Sequence, residues 1–167
     1  KHVLRLLDKA GLTPASLALP VYLDMEDDSQ DALSAAALGN IAEAFCNAIA
    51  AKGYKVGIYA SQSWWADKNK LNTAKFDNPN WSRWVAQWGD FSAPQVSDPD
   101  VWQFSSKGTV NGINGSVDMN FSFNEVGIKN TWVKSNGKTY YYGADGVPVK
   151  WSQKIDGSFY YFNGKGE

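Results

Sequence analysis

The stretch Leu19-Pro-Val-Tyr-Leu-Asp-Met-Glu26 decides how the rest of the chain is read. A short apolar run that ends abruptly in acids has the form of a buried strand whose last residues reach solvent. A second run of this kind, Lys55-Val-Gly-Ile-Tyr-Ala-Ser61, follows. Between them, Gln30 to Lys52 reads as a long amphipathic helix with Leu33, Ala37, Ile41, Ala44, Phe45, Ala48 and Ile49 on one face, stopped by Gly53. Strand, helix and strand in this order predict a parallel pair with a crossover helix. Upstream, Val3 to Ala10 reads as a helix ended by Gly11. Downstream come a short helix around Trp65 to Asn72 and then three strand-like runs joined by loops: Arg83–Trp88, Val101–Ser105 and Val117–Phe121. The expected class is α/β.

Asp24 and Glu26 carry the chemistry. Residues i and i+2 of a strand share a face, with Cα atoms about 6.5–7 Å apart. Two carboxylates crowded at the C-terminal end of a parallel strand push their pKa values apart, so that one stays ionised while the other keeps a proton. An acid beside an anion is what glycosidic cleavage needs. The plainer alternative is a solvated acidic loop, since Asp27, Asp28 and Asp31 follow. Asp118, at the end of the run Gly115–Asn120, is a further candidate acid, and its alternative is a turn or cap aspartate. Tyr59, Trp64, Gln87, Trp88 and Gln103 stand at or just after strand ends as candidates to line a sugar cleft, each with a core or rim role as its alternative.

Composition narrows the choice. The formal net charge of -1 lacks the basic surplus that nucleic-acid binding requires. No apolar run reaches the roughly 18 residues of a transmembrane helix, and the first residues lack the form of a signal peptide. One cysteine, Cys46, and one histidine, His2, supply no thiolate–imidazole zinc cluster, and a Ser–His–Asp triad would have to use His2 at the chain's start. No metal or cofactor is expected. Cys46 reads as a buried small hydrophobe. Aromatic residues make up 14% of the chain, a surplus that suits stacking on carbohydrate faces.

From about residue 129 the pattern changes. Trp132-Val-Lys-Ser-Asn-Gly-Lys-Thr-Tyr-Tyr-Tyr142 is echoed by Trp151-Ser-Gln-Lys-Ile-Asp-Gly-Ser-Phe-Tyr-Tyr-Phe162. Each unit reads as a β-hairpin closed by Asn-Gly or Asp-Gly, and stacked units of this period predict a solenoid. Trp132, Tyr141, Trp151 and Tyr161 are the rings of these units that could meet a ligand; packing of the hairpins is the alternative role for them.

Five motifs carry a family resemblance: Tyr22-Leu-Asp-Met-Glu26, Gly57-Ile-Tyr-Ala-Ser61, Trp84-Val-Ala-Gln-Trp88, Trp102-Gln-Phe-Ser105 and Val117-Asp-Met-Asn120. In order and spacing they resemble the family 25 glycoside hydrolases, the muramidases of bacteria and their phages. The likeness covers about residues 1–124, and residues 129–167 resemble cell-wall-binding repeats, including choline-binding types. The resemblance implies the C-terminal portion of a (β/α)5β3 TIM-like barrel, with 1–126 as a catalytic domain lacking its first strands. It implies cleavage of the β-1,4 bond between N-acetylmuramic acid and N-acetylglucosamine in bacterial peptidoglycan. Glu26 would be the general acid, Asp24 its partner, Asp118 a further acid, and Tyr59 and Trp88 cleft residues. Choline or another wall polymer is an implied ligand of the tail. A partner chain or self-association to complete the barrel, and a secreted, wall-associated or phage-endolysin setting, are also implied. Two other functions remain open at this point: a glycan-binding fragment without activity, and a chitinase-like N-acetylglucosaminidase.

Overall fold

A computed structural model describes residues 1–124, 129–135, 137–144 and 146–167. Contacts divide the chain into two units, Pro20–Glu125 on the one hand and Lys1–Leu19 with Val126–Glu167 on the other. This differs from the expected division into 1–126 and 129–167. Helix α1 (His2–Lys9) buries none of its residues, and the 3-10 turn Pro14–Ser16 packs on strand β6 (Thr131–Ser135) of the tail.

The Pro20–Glu125 unit is built on one five-stranded sheet. Strands β1 (Val21–Asp24), β2 (Val56–Ser61), β3 (Trp81–Ala86) and β4 (Val101–Gly108) run parallel, and β5 (Val117–Ser122) pairs antiparallel with β4. The α/β class and the parallel pair joined by a helix are as expected. Sheet order follows chain order, so the C-terminal ends of β1–β4 and the N-terminal end of β5 lie along one edge.

Helix α3 (Ala35–Ala50) makes the crossover and packs on β1 and β2. Its start differs from the expected Gln30. Ser34 accepts a hydrogen bond from the Ala37 amide at 3.2 Å and so caps α3 five residues later. The residues before it form a separate turn, α2 (Asp28–Asp31), capped by Asp27. The buried stripe also differs: Leu38, Ala42, Cys46 and Ile49 face the sheet, while Ile41 is 39% exposed. The helix is apolar on more than one side, so periodicity alone does not choose the inward face. Burial pushes the Cys46 thiol up to about 12, in keeping with a packing role. Removing the cap in Ser34→Ala should lower stability by about 1 kcal/mol, measured by urea unfolding.

Helix α4 (Gln62–Ala66) starts and stops earlier than the expected helix at Trp65 to Asn72. Ser61 accepts from the Trp64 amide, and Asp67 accepts from the Asn69 amide in a turn that ends the helix.

In the tail, β6 pairs with β7 (Lys138–Tyr142), and β8 (Trp151–Ile155) pairs with β9 (Ser158–Phe162). These are two separate two-stranded sheets. At the second hairpin Asp156 and Gly157 both take positive φ, 48° and 86°, as a tight Asp-Gly turn demands. The matching turn of the first hairpin includes Asn136, outside the described residues. Among the described residues no helix is long and apolar enough to cross a membrane.

Candidate active site

The edge where the strands end holds a cleft of about 300 Å³ lined by Tyr22, Asp24, Glu26, Tyr59, Trp84, Gln103 and Asp118. Every strand of the sheet contributes. Asp24 is the last residue of β1, and the backbone stays anchored one residue further, where the Met25 amide donates to the Tyr59 carbonyl at 2.9 Å. Met25 is fully buried, which turns its neighbours Asp24 and Glu26 together toward the cleft.

Asp118 arrives by a different route from the one expected. It stands near the start of β5, not at its end. Because β5 runs antiparallel, its start meets the edge where the parallel strands finish.

The cleft floor is aromatic. Trp84 meets Tyr22 and Tyr59 edge-on, with centroids at 5.1 and 5.0 Å. Its indole Nε1 donates to Asn120 Oδ1 at 2.9 Å, and the Tyr22 hydroxyl is hydrogen-bonded to Ser82 Oγ at 2.7 Å. Tyr59 donates to Gln103 Oε1 at 3.2 Å, and Trp88 Nε1 donates to the same oxygen at 3.1 Å.

Partial burial raises the pKa of Glu26 above its ordinary value, and the negative charges of Asp24 and Asp118 add to the rise, against a hydrogen bond from Tyr59. Partial burial, then Asp27, raises Asp24 as well. Both side chains stay open to solvent at the cleft mouth. Burial, followed by the charges of Glu26 and Asp24, pushes the Tyr59 hydroxyl up to about 12, so it remains a proton donor at neutral pH. The arrangement can hold a proton on one carboxyl beside a second and third acid, above a flat apolar floor. Among the described residues, no group of three His, Cys, Asp or Glu side chains is placed to hold a metal ion.

Of the residues named from sequence, Asp24, Glu26, Asp118, Tyr59 and Gln103 meet in the cleft. Trp88 joins them through Gln103 while remaining 55% exposed. Two do not line it. Trp64 lies beneath the Lys70 ammonium, 4.6 Å from its ring centroid, and Lys70 in turn bonds Asp31. Gln87 is buried and clamps a loop: its Nε2 donates to Gln95 Oε1 at 3.1 Å, and the Gln95 amide donates back to Gln87 Oε1 at 2.6 Å. A buried amide after a strand resembles a cleft residue in sequence, and only its partners separate the two roles. Tyr22 and Trp84 were missed as lining residues, although both stand at inward positions of strands already recognised.

In the tail, Trp132 packs against Tyr141, Tyr160 and Phe162 at 5.1, 4.8 and 5.9 Å. Trp151 and Tyr161 stand outside this cluster of rings and are 59% and 71% exposed. For Tyr161 the reason is the alternation of side chains along β9, which turns it to the face opposite Tyr160 and Phe162.

No curated protein compared with the chain matches it. Among solved structures it is similar to a bacterial lysozyme from Streptomyces coelicolor, 25% identical with a TM-score of 0.53, covering 63% of this chain and 50% of that one. It is also similar to the catalytic domain of endolysin ply40 from bacteriophage P40 of Listeria monocytogenes, 27% identical with a TM-score of 0.52, covering 71% and 54%. A third likeness is to the CTP1L endolysin, 29% identical with a TM-score of 0.51, covering 70% and 38%. The chain thus spans about half the length of these proteins or less. The sequence pattern described as Glycosyl hydrolases family 25 matches residues 6–113, a span that includes Asp24, Glu26, Tyr59 and Gln103 and stops short of Asp118. With most of its length matched, the chain belongs to glycosyl hydrolase family 25.

Proposed function

We propose that this chain supplies the cleft of a muramidase that hydrolyses the β-1,4 bond between N-acetylmuramic acid and N-acetylglucosamine in bacterial peptidoglycan. The observation that carries the reading is the meeting of Asp24, Glu26 and Asp118 in one aromatic-floored cleft. Glu26 protonates the leaving glycosidic oxygen, because partial burial, and then the charges of Asp24 and Asp118, hold it back from ionising. Asp24 faces the developing positive charge, and Asp118 adds to the negative field that keeps the proton on Glu26. Trp84 offers a flat face for a sugar ring. The sheet is read as part of a (β/α)5β3 barrel, and the hairpins at 129–167 as wall-binding repeats. A phage endolysin or a secreted wall enzyme is the setting that fits.

The test is loss of turbidity of a peptidoglycan suspension, followed by reducing-end analysis of the products. New N-acetylmuramic acid ends support the reading, and new N-acetylglucosamine ends replace it with a glucosaminidase. Binding without lysis favours a wall-binding fragment, a reading for which the exposed rings of Trp151, Phe159 and Tyr161 speak.

The raised Glu26 pKa has a direct consequence. Activity that needs protonated Glu26 is lost as pH rises through that pKa, so the alkaline limb lies above the ordinary glutamate value. Asp118→Asn removes one of the charges that raise it. The alkaline limb of the pH–rate profile should then move to lower pH.

A further inference from the structure

Tyr59 carries one hydroxyl proton and faces two acceptors. It donates to Gln103 Oε1 at 3.2 Å, and the Glu26 carboxyl lines the same cleft beside it as a second acceptor. One O–H cannot serve both at full strength. Gln103 is itself held in place: it is 4% exposed, and Trp88 Nε1 donates to the same oxygen at 3.1 Å. An indole N–H only donates, so the atom it meets is the amide oxygen, and the carboxamide is locked with its acceptor toward Tyr59.

We propose that Gln103 is a positioning residue that accepts the hydrogen bond of the Tyr59 hydroxyl whenever Glu26 is protonated and loses it to the carboxylate when Glu26 ionises. The functional meaning rests on the reading of Glu26 as the general acid. With Glu26 protonated, the carboxyl O–H is free for a glycosidic oxygen, because Tyr59 is satisfied by Gln103. With Glu26 ionised, Tyr59 turns to the carboxylate. Having this second acceptor weakens the bond that favours the anion, so Gln103 helps Glu26 keep its proton.

The groups facing Glu26 are Asp24 on its own segment, Tyr59 on β2, Trp84 on β3, Gln103 on β4 and Asp118 on β5, with Asp27 acting through Asp24. None of the residues lining the cleft is a cation. The carboxylates set a baseline that does not depend on where Tyr59 points.

The experiment is a carbon-13 carboxyl NMR titration of Glu26 in the full chain. The proteins are the parent, Gln103→Met, Tyr59→Phe and the double variant. Gln103→Met should lower the Glu26 pKa by about half to one unit, since Tyr59 then donates only to the carboxylate. Tyr59→Phe should raise it, and adding Gln103→Met to Tyr59→Phe should change nothing. The Trp84 indole N–H resonance, bonded to Asn120, reports that the cleft is intact. Should Gln103→Met not fold, Gln103→Asn withdraws the acceptor by one methylene and should shift the pKa in the same direction. An unchanged Glu26 pKa in a folded Gln103 variant, or an equal shift with and without the Tyr59 hydroxyl, overturns the proposal. The titration needs no turnover: a chain that titrates as expected but never lyses peptidoglycan sinks the muramidase reading alone.

Discussion

Glu26→Gln should abolish lysis of peptidoglycan, lowering the rate by about 10²–10⁴-fold, the usual contribution of a positioned general acid. The amide is nearly isosteric and sits at an open cleft mouth, so folding should be unaffected. It cannot deliver a proton to a leaving oxygen. Removing the carboxyl also relieves Tyr59 of one of the negative charges that push its hydroxyl up to about 12, so the Tyr59 pKa should fall. The decisive comparison is a turbidity assay beside a thermal melt for both proteins. Lysis within threefold of the parent, at an unchanged melting temperature, would remove Glu26 from its proposed role. The parallel change Asp24→Asn should also cost activity, through loss of the anion rather than of the acid.

Gly57→Ala should destabilise the protein by about 1–3 kcal/mol, as overpacking of a close contact does. Gly57 lies in β2 beside Tyr22 and opposite Ser82. A methyl group there would run into the Tyr22 ring and stand 2.7 Å from the Ser82 carbonyl oxygen. The backbone of β3 cannot yield without disturbing its pairing with β2, so the Tyr22 ring must move. That ring forms part of the cleft floor, meets Trp84 edge-on and is hydrogen-bonded to Ser82. Stability and cleft shape should therefore suffer together. The expected drop in melting temperature is roughly 2–12 °C, accompanied by a changed near-ultraviolet dichroism from the Tyr22–Trp84 pair. A melting temperature within a degree of the parent would show that the strand accommodates the methyl group freely.

The strands and their order were legible because buried strands announce themselves as short apolar runs between turn residues. The hairpins were legible for the same reason, with Asp-Gly marking a turn that needs positive φ. Helix α3 was legible as a helix but not in its start or its inward face. Its start depended on a hydrogen bond from Ser34, and its face on which side met β1 and β2. Trp64 and Gln87 were read as cleft residues from their positions alone. Their partners, Lys70 and Gln95, lie several residues away in loops whose path no local pattern reveals.

By itself the sequence determined the α/β class, the acids Asp24 and Glu26 at a strand's end, and the family motifs around them. These depend on local alternation and short spacing, which neighbouring residues enforce on one another. Only the tertiary structure decided that Asp118 reaches the same cleft, through the antiparallel course of β5, and that Tyr22 and Trp84 form its floor. It alone joined the Tyr59 hydroxyl to Gln103 in the cleft that Glu26 lines. These contacts join residues far apart in the chain, 44 positions for Tyr59 with Gln103 and 60 for Tyr22 with Ser82. Sheet pairing brings such residues together, and pairing partners are chosen by packing across the whole unit rather than by any local run of residues.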